Sequence, residues 1–444
     1  MYFKIWVNLI QEGIAVTCFL SWTIIVIVLI PPAWADEASG LRLPFRFHGF
    51  WENAGSLRCG DSRTEHEDYN LLESRFQLKF TYYPENISKL SEWNSSIFFK
   101  ADFLADGFEE EPDGELRELY LETSPLGFLD IKVGRQIITW GTGDLVFIND
   151  LFPKDWVSFF VGREDQYLKL PSDALKMSLF SSLVNLDLIF IPLLKPDNPI
   201  RGNRLSFFNP FTNKLTGEDA DFYYQRPDRN PESPEFALRF NRFIGSYETA
   251  LYGFWGYYKQ PVGIRKPLGK KFFYPRLNAY GASIRGPAGG GIVHLEAGYY
   301  ISKEDQSGDD PLVENSTMRY LAGYERECWT DFTVGAQYFL NQLLDYTDYR
   351  SSAPSQSPKR DHYNHLLTLR VTQLLYHQDV ELSFFAFYSP SDQDFHLRPR
   401  ISYEMSDHWK ISLGSNIFGG VDDFSMFGQL KRNDNFYLRI RYSF

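Results

Sequence analysis

Two pairs of arginines, Arg398 with Arg400 and Arg439 with Arg441, each stand two residues apart in a segment where polar and apolar side chains alternate. A period of two is the repeat of a β-strand, so both members of a pair project from the same face. Arg370 and Lys410 hold equivalent positions in neighbouring segments, and a sheet closed on itself would bring Arg46, Arg75 and Lys79 alongside them. Guanidinium groups grip carboxylate or phosphate through two parallel hydrogen bonds, so one use of such a basic wall is to select small anions. The other use is structural: neighbours such as Glu73, Glu381 and Glu404 would neutralise the wall and tie its strands together. Asp102, Glu118, Glu122 and Asp130 belong to other segments and form a candidate acidic sector. Two sectors of opposite sign in a narrow tube would order dipolar solutes in a transverse field.

A second group of chemically capable residues lies in the long stretch 138–173. Phe147, Ile148, Leu151, Phe152, Trp156, Phe159 and Phe160 are too apolar for a free surface loop, whereas Asp144, Asp150, Lys154, Asp155, Arg163 and Glu164 would suit the rim of a narrow passage. A loop of this length with its own apolar anchors is expected to be ordered, either folded inward as a constriction or packed on a rim as a cap. The stretch 192–235, with Pro196, Pro199, Pro210, Pro227, Pro231 and Pro234, reads as a stiff outer lid. Acidic clusters at Glu109-Glu110-Glu111, at Glu218-Asp219 with Asp221, and at Asp309-Asp310 would either hold divalent cations that bridge to lipopolysaccharide or remain solvated loops. His362 and His365 with Asp361 have metal-like spacing but no third convincing ligand, so no metal site and no cofactor are expected.

No enzyme is expected either. The chain has no G-x-S-x-G, P-loop or H-E-x-x-H, and the glycine-rich stretch 286–291 lacks a following Lys-Ser/Thr and sits at a turn. A formal charge of -12 argues against nucleic acid, whose backbone is bound by clustered Lys and Arg.

The elements that must position these residues are strands throughout. Alternating segments are read at 44–53, 69–83, 94–104, 115–124, 127–137, 174–181, 184–191, 236–244, 246–257, 275–285, 291–302, 316–326, 328–340, 364–374, 377–389, 394–403, 408–418 and 434–444. Short links follow the even-numbered segments and long links the odd-numbered ones, the asymmetry of an outer-membrane barrel with short periplasmic turns and long outer loops. Two links suit this less well: 84–93 is long for a turn, and 390–393 is short for an outer loop. One apolar and one polar face per strand also explains how a chain with 17% aromatic residues keeps 23% charged residues and a mean hydropathy of -0.32. A soluble β-sandwich is the rival, but its strands bury aliphatics inward, whereas here a charged face recurs through many consecutive segments.

The N-terminus supplies a compartment. Ile14 to Ile30 is a mostly apolar run followed by Pro31-Pro32 and Ala33-Trp34-Ala35, an A-x-A cleavage pattern, so 1–35 reads as a secretory signal peptide and 36–444 as a single barrel domain. An uncleaved anchor is the alternative, since Lys4 is the only basic residue of the leading region and Glu12 lies within it. Cys18 would leave with the signal, and Cys59 and Cys328 fall at opposite ends of the barrel, so no disulfide is expected.

At Val133-Gly134-Arg135-Gln136, followed by Trp140-Gly141, the chain resembles porin-like outer-membrane proteins in which such a sequence leaves a strand for a long loop. The resemblance, with the C-terminal Phe444, implies insertion by the barrel-assembly machinery into the bacterial outer membrane. It also implies a role in passage, similar to substrate-selective porins and alginate-export-type barrels. The expected architecture is an all-β, transmembrane, antiparallel up-and-down β-barrel of about 18 strands, within a range of 16 to 18. The expected activity is diffusion of small hydrophilic, anion-biased solutes. Alternatives are specific transport of an apolar or polyanionic molecule, and a surface structural or adhesive barrel.

Overall fold

The computed structural model describes residues 45–444, apart from 61–63, 65–67, 109–111, 219–222, 225–232, 265–270 and 355–357. The proposed signal peptide and the acidic positions 109–111, 219 and 221 lie outside the described residues. Each alternating segment is a strand. They are β1 (Phe45–Arg58), β2 (Leu72–Tyr82), β3 (Ser96–Asp106), β4 (Asp113–Leu126), β5 (Leu129–Gln136), β6 (Ser172–Leu179), β7 (Asn185–Ile191), β8 (Glu235–Ile244) and β9 (Tyr247–Tyr257). The second half comprises β10 (Arg276–Ala288), β11 (Gly291–Ser302), β12 (Thr317–Trp329), β13 (Phe332–Leu343), β14 (Tyr363–Leu375), β15 (Val380–Ser389), β16 (Asp394–Glu404), β17 (Trp409–Gly420) and β18 (Asn435–Ser443). Every strand pairs antiparallel with its neighbours in sequence, and β1 closes on β18 with Glu52 opposite Arg441 and Ala54 opposite Arg439. Closure removes the two edges an open sheet would expose, which a bilayer cannot satisfy.

Burial follows the alternation. On β18 Asn435, Tyr437 and Arg439 are at most 4% exposed and face inward, while Phe436, Leu438 and Ile440 are 36% exposed or more and face lipid. Outward aromatics gather toward both strand ends, with Tyr363 and Tyr388 at the loop side and Trp329, Tyr403 and Trp409 at the turn side, the girdles of a membrane-spanning barrel.

Turn chemistry accounts for the short links. Gly289 and Gly290, at φ +57° and +78°, join β10 to β11 in a two-residue turn that needs positive φ at both positions. The 84–93 link, too long for a simple turn, contains the short helix Ser88–Glu92. The short 390–393 connection closes as a turn, with Ser389 and Asp392 bonded to each other. Cys59 and Cys328 are both free and exposed, Cys59 just past the loop-side end of β1 and Cys328 at the turn-side end of β12.

Candidate functional site: a loop seated across the bore

The segment between β5 and β6 leaves the wall and packs inside the barrel. Ile138, Trp140, Ile148, Phe152, Phe159, Phe160, Val161 and Leu168 are all buried and form one apolar cluster with inward residues of the wall. Its short helix, Trp156–Val161, starts at Asp155, whose carboxylate accepts from Ser158 N at 2.9 Å and from Ser158 Oγ at 2.7 Å. Asp150 takes Lys154 at 2.9 Å. Asp155 also accepts from the Asn198 amide of the lid at 3.0 Å, so Asp150 and Asp155 are both buried in hydrogen bonds that hold the loop's fold and do not serve as rim residues. Trp156 donates from Nε1 to Asp197 at 2.7 Å, which ties the loop to the lid that follows β7.

The wall holds this loop at four stations. On β11, Glu296 is 4% exposed and accepts from the backbone N–H groups of Thr142, Gly143 and Asn149 and from the Asn149 amide. Beside it, Gly281 and Gly298 are register partners, and a Cβ on either would stand 1.8 Å from Asn149 Oδ1 or 2.6 Å from Ile148 Cγ2. Only a wall without side chains there can receive the loop this closely. On β14, Arg370 grips Asp144 bidentately at 2.5 and 2.8 Å, next to Gln337 of β13, which accepts from Asp144 N.

On β16 and β18 the predicted arginines meet the far end of the loop. Arg398 lies 2.9 Å from Asp165, and Arg441 lies 2.8 Å from Glu164 and 2.6 Å from Glu52. Arg439 is 3.9 Å from Glu164, with side-chain exposure of only 4%. Burial alone would raise the carboxyls of Glu164 and Asp165. Arg441 and Arg439 beside Glu164, and Arg398 beside Asp165, win and hold both below their ordinary range. On β2, Arg75 joins Asp102 at 2.7 Å and lies 4.1 Å from the centre of the Tyr167 ring, while Arg163 reaches Glu73 at 2.7 Å and Asp106 at 3.3 Å. Arg204 of the outer lid also reaches Asp106, at 2.6 Å.

The inward arginines read from the sequence as a basic wall are therefore occupied by carboxylates of the loop and of the wall itself. Arg400 is 2.5 Å from Glu381 and Lys410 is 3.1 Å from Glu404, so these too are paired. Arg46 differs: it is exposed at the turn side of β1, 5.8 Å from the Tyr83 ring centre. Of the acidic sector, Asp102 is consumed by Arg75 and Gln77, while Glu118 and Glu122 face the bore with solvent access. His362 stacks on Tyr346 and His365 bonds the Tyr338 hydroxyl, so the metal-like spacing serves ring packing. Among the described residues no group of three His, Cys, Asp or Glu side chains could hold a metal ion.

Sequence reasoning missed Glu296, Gln337, Tyr167, Gly281 and Gly298. Alternation alone places Glu296 and Gln337 inward, but which loop atoms they receive depends on how the loop folds.

No protein-family model and no curated protein matches the sequence significantly. Solved structures do match. Pseudomonas aeruginosa OccD3 (OpdP) aligns with a TM-score of 0.53 at 9% identity over 91% of this chain and 92% of its own. Pseudomonas aeruginosa OccK2 (OpdF), solved in complex with glucuronate, aligns with a TM-score of 0.54 at 9% identity over 90% of this chain and 97% of its own. Acinetobacter baumannii OccAB3 gives 0.53 at 9% identity over 90% and 99%. At this identity the likeness speaks to architecture alone: the chain folds as a closed 18-stranded antiparallel barrel.

Proposed function

We propose that this chain is an outer-membrane channel for the diffusion of small hydrophilic, anion-biased solutes, with the β5–β6 loop as its constriction. The observation that carries the reading is a transmembrane barrel whose inward face is charged on many strands and whose bore is crossed by a loop held through ion pairs. A purely structural barrel has no need of exposed charges below such a loop, yet Arg46, Lys79 and Glu122 are exposed there. The Val133-Gly134-Arg135-Gln136 and Trp140-Gly141 segment forms the loop's root: the Gln136 amide donates to Ala174 O at 3.0 Å, and Trp140 packs edge-on against Phe152 at 5.2 Å. Residues 1–35 would be the export signal, the barrel-assembly machinery and lipopolysaccharide the partners in the membrane, and no catalysis is assigned.

A second reading, transport of a particular solute, is favoured by the extent of loop anchoring, since a passage built to be tight selects more than a wide one. The Occ-type neighbours point the same way, and a sugar acid such as glucuronate is a reasonable first probe. In planar bilayers the purified protein should conduct, with a reversal potential in a KCl gradient on the anion-selective side. Stable insertion with no current at any voltage would exclude both readings and leave a surface structural role.

A further inference from the structure

The membrane-facing wall is uneven in height. On one side β10 to β14 run for 12 or 13 residues. On another side three consecutive strands are much shorter: β5 and β6 have 8 residues and β7 has 7. At a rise of about 3.3 Å per residue and a tilt of about 40°, the long strands climb about 30 Å and the short ones about 20 Å. The apolar band of an outer-membrane barrel is about 25 Å tall, so the short side falls below what lipid requires. Beyond the loop-side ends of these strands the chain leaves β5 for the seated loop and β7 for the lid. A bilayer of ordinary thickness would there meet irregular backbone, whose N–H and C=O groups lipid cannot satisfy.

Side chains mark the same sector. Tyr299, Tyr320, Tyr338, Tyr363 and Tyr388 stand exposed on the outer face of β11 to β15, toward the loop side, whereas β5 to β8 contain neither Tyr nor Trp. In place of that girdle the short wall ends on charge. Arg135 of β5, on the outward face with Val133, donates from Nε and Nη2 to both carboxylate oxygens of Asp173, its register partner on β6, at 2.8 and 3.0 Å. Both side chains are more than a third exposed, outside the barrel. Beneath the pair lie exposed Val133, Phe190 and Phe236, the last two with ring centres 5.1 Å apart.

We infer that this low sector, β5 to β7 with the adjoining edge of β8, is where a second copy of the chain docks, across a two-fold axis along the membrane normal. Covering the short wall with another barrel removes the mismatch with the bilayer, one of the ways a short membrane-spanning segment is accommodated. The charge pattern suits a copy of itself. A two-fold axis turns Arg135 of one barrel toward the partner's Asp173 and Asp173 toward the partner's Arg135, so two separate pairs join into one network of alternating sign. The arginine of the Val133-Gly134-Arg135-Gln136 segment, which faces away from the bore, thereby has a role that rooting the loop does not give it.

The test is the mass of the barrel in lipid nanodiscs together with cross-linking at Val133. Native mass spectrometry of the wild type should give two chains per disc. With Cys59 and Cys328 replaced by Ser, a short bismaleimide should join Val133→Cys to a second copy as a double-mass band, and should leave Tyr338→Cys, across the barrel on β13, single. Arg135→Asp and Asp173→Arg, each added to Val133→Cys, should lose that band alone and regain it when the two chains are co-expressed, because only the mixed pair sets opposite charges face to face. Folding of each variant is read from its mobility on unheated gels. If a single variant does not fold, Arg135→Asp with Asp173→Arg in one chain, which keeps the pair within the barrel, should dimerise as the wild type does. One chain per disc, equal cross-linking at positions 133 and 338, or a position-133 band that contains a different protein overturns the inference.

Discussion

Glu164 and Asp165 are adjacent carboxylates that bind arginines on β18 and β16, so two residues of loop sequence set one end of the constriction. Their carboxyls are held below the usual range, and the direction of the pH effect follows. A carboxyl lowered in the folded state contributes stability that is complete above its unfolded value of about 4 and is lost as pH falls through the lower value of the seated loop. Single-channel conductance should stay constant from pH 7 down to about 4 and then show upward excursions as the loop end detaches. Excursions that begin near pH 6 would point to a histidine instead. A seat unchanged at pH 2 would show that these ion pairs do not hold the loop.

At the scale of the element, the loop is fastened by apolar packing as much as by charge. Phe159 and Phe160 of the short helix meet the His396 ring of β16 at 5.7 Å each, and Phe159 meets Phe387 at 6.0 Å. On the other side the loop is received by the bare wall at Gly281 and Gly298. Gly281→Val should therefore evict the Ile148-Asn149 corner without disturbing strand pairing, since β-branched residues suit a strand. The expected outcome is a barrel that still runs as a folded species on unheated gels, with larger unit conductance and a loop newly cut by protease. Unaltered conductance would mean that the corner accommodates the added carbons in place.

For the whole molecule, the lipid face and the lumen face differ in what they tolerate. Leu369 on β14 points outward at 39% exposure, whereas Thr372 on the same strand points inward. Leu369→Arg should cost about 2–4 kcal/mol of barrel stability if it lies near the bilayer midplane. Thr372→Arg should cost far less and register in ion selectivity. Urea unfolding in lipid vesicles reads the first and bilayer recording the second; equal losses of stability would contradict the assigned faces.

Much of this was legible in the residue order. Alternation is a local, backbone-imposed period, so the 18 strands, their inward and outward faces and the side carrying long loops could all be read from it. The terminal row of Phe436, Leu438 and Ile440 against Arg439 and Arg441 shows how directly. Closure of β1 on β18 followed from the same pattern, because an unpaired edge has no place in lipid. What local periodicity cannot carry is the partner of each inward charge. Whether Arg398 meets a solute or Asp165 depends on a contact across the bore between residues far apart in the chain. The folded loop decided such contacts by bringing its own carboxylates, Asp144, Glu164 and Asp165, to the arginines of the wall.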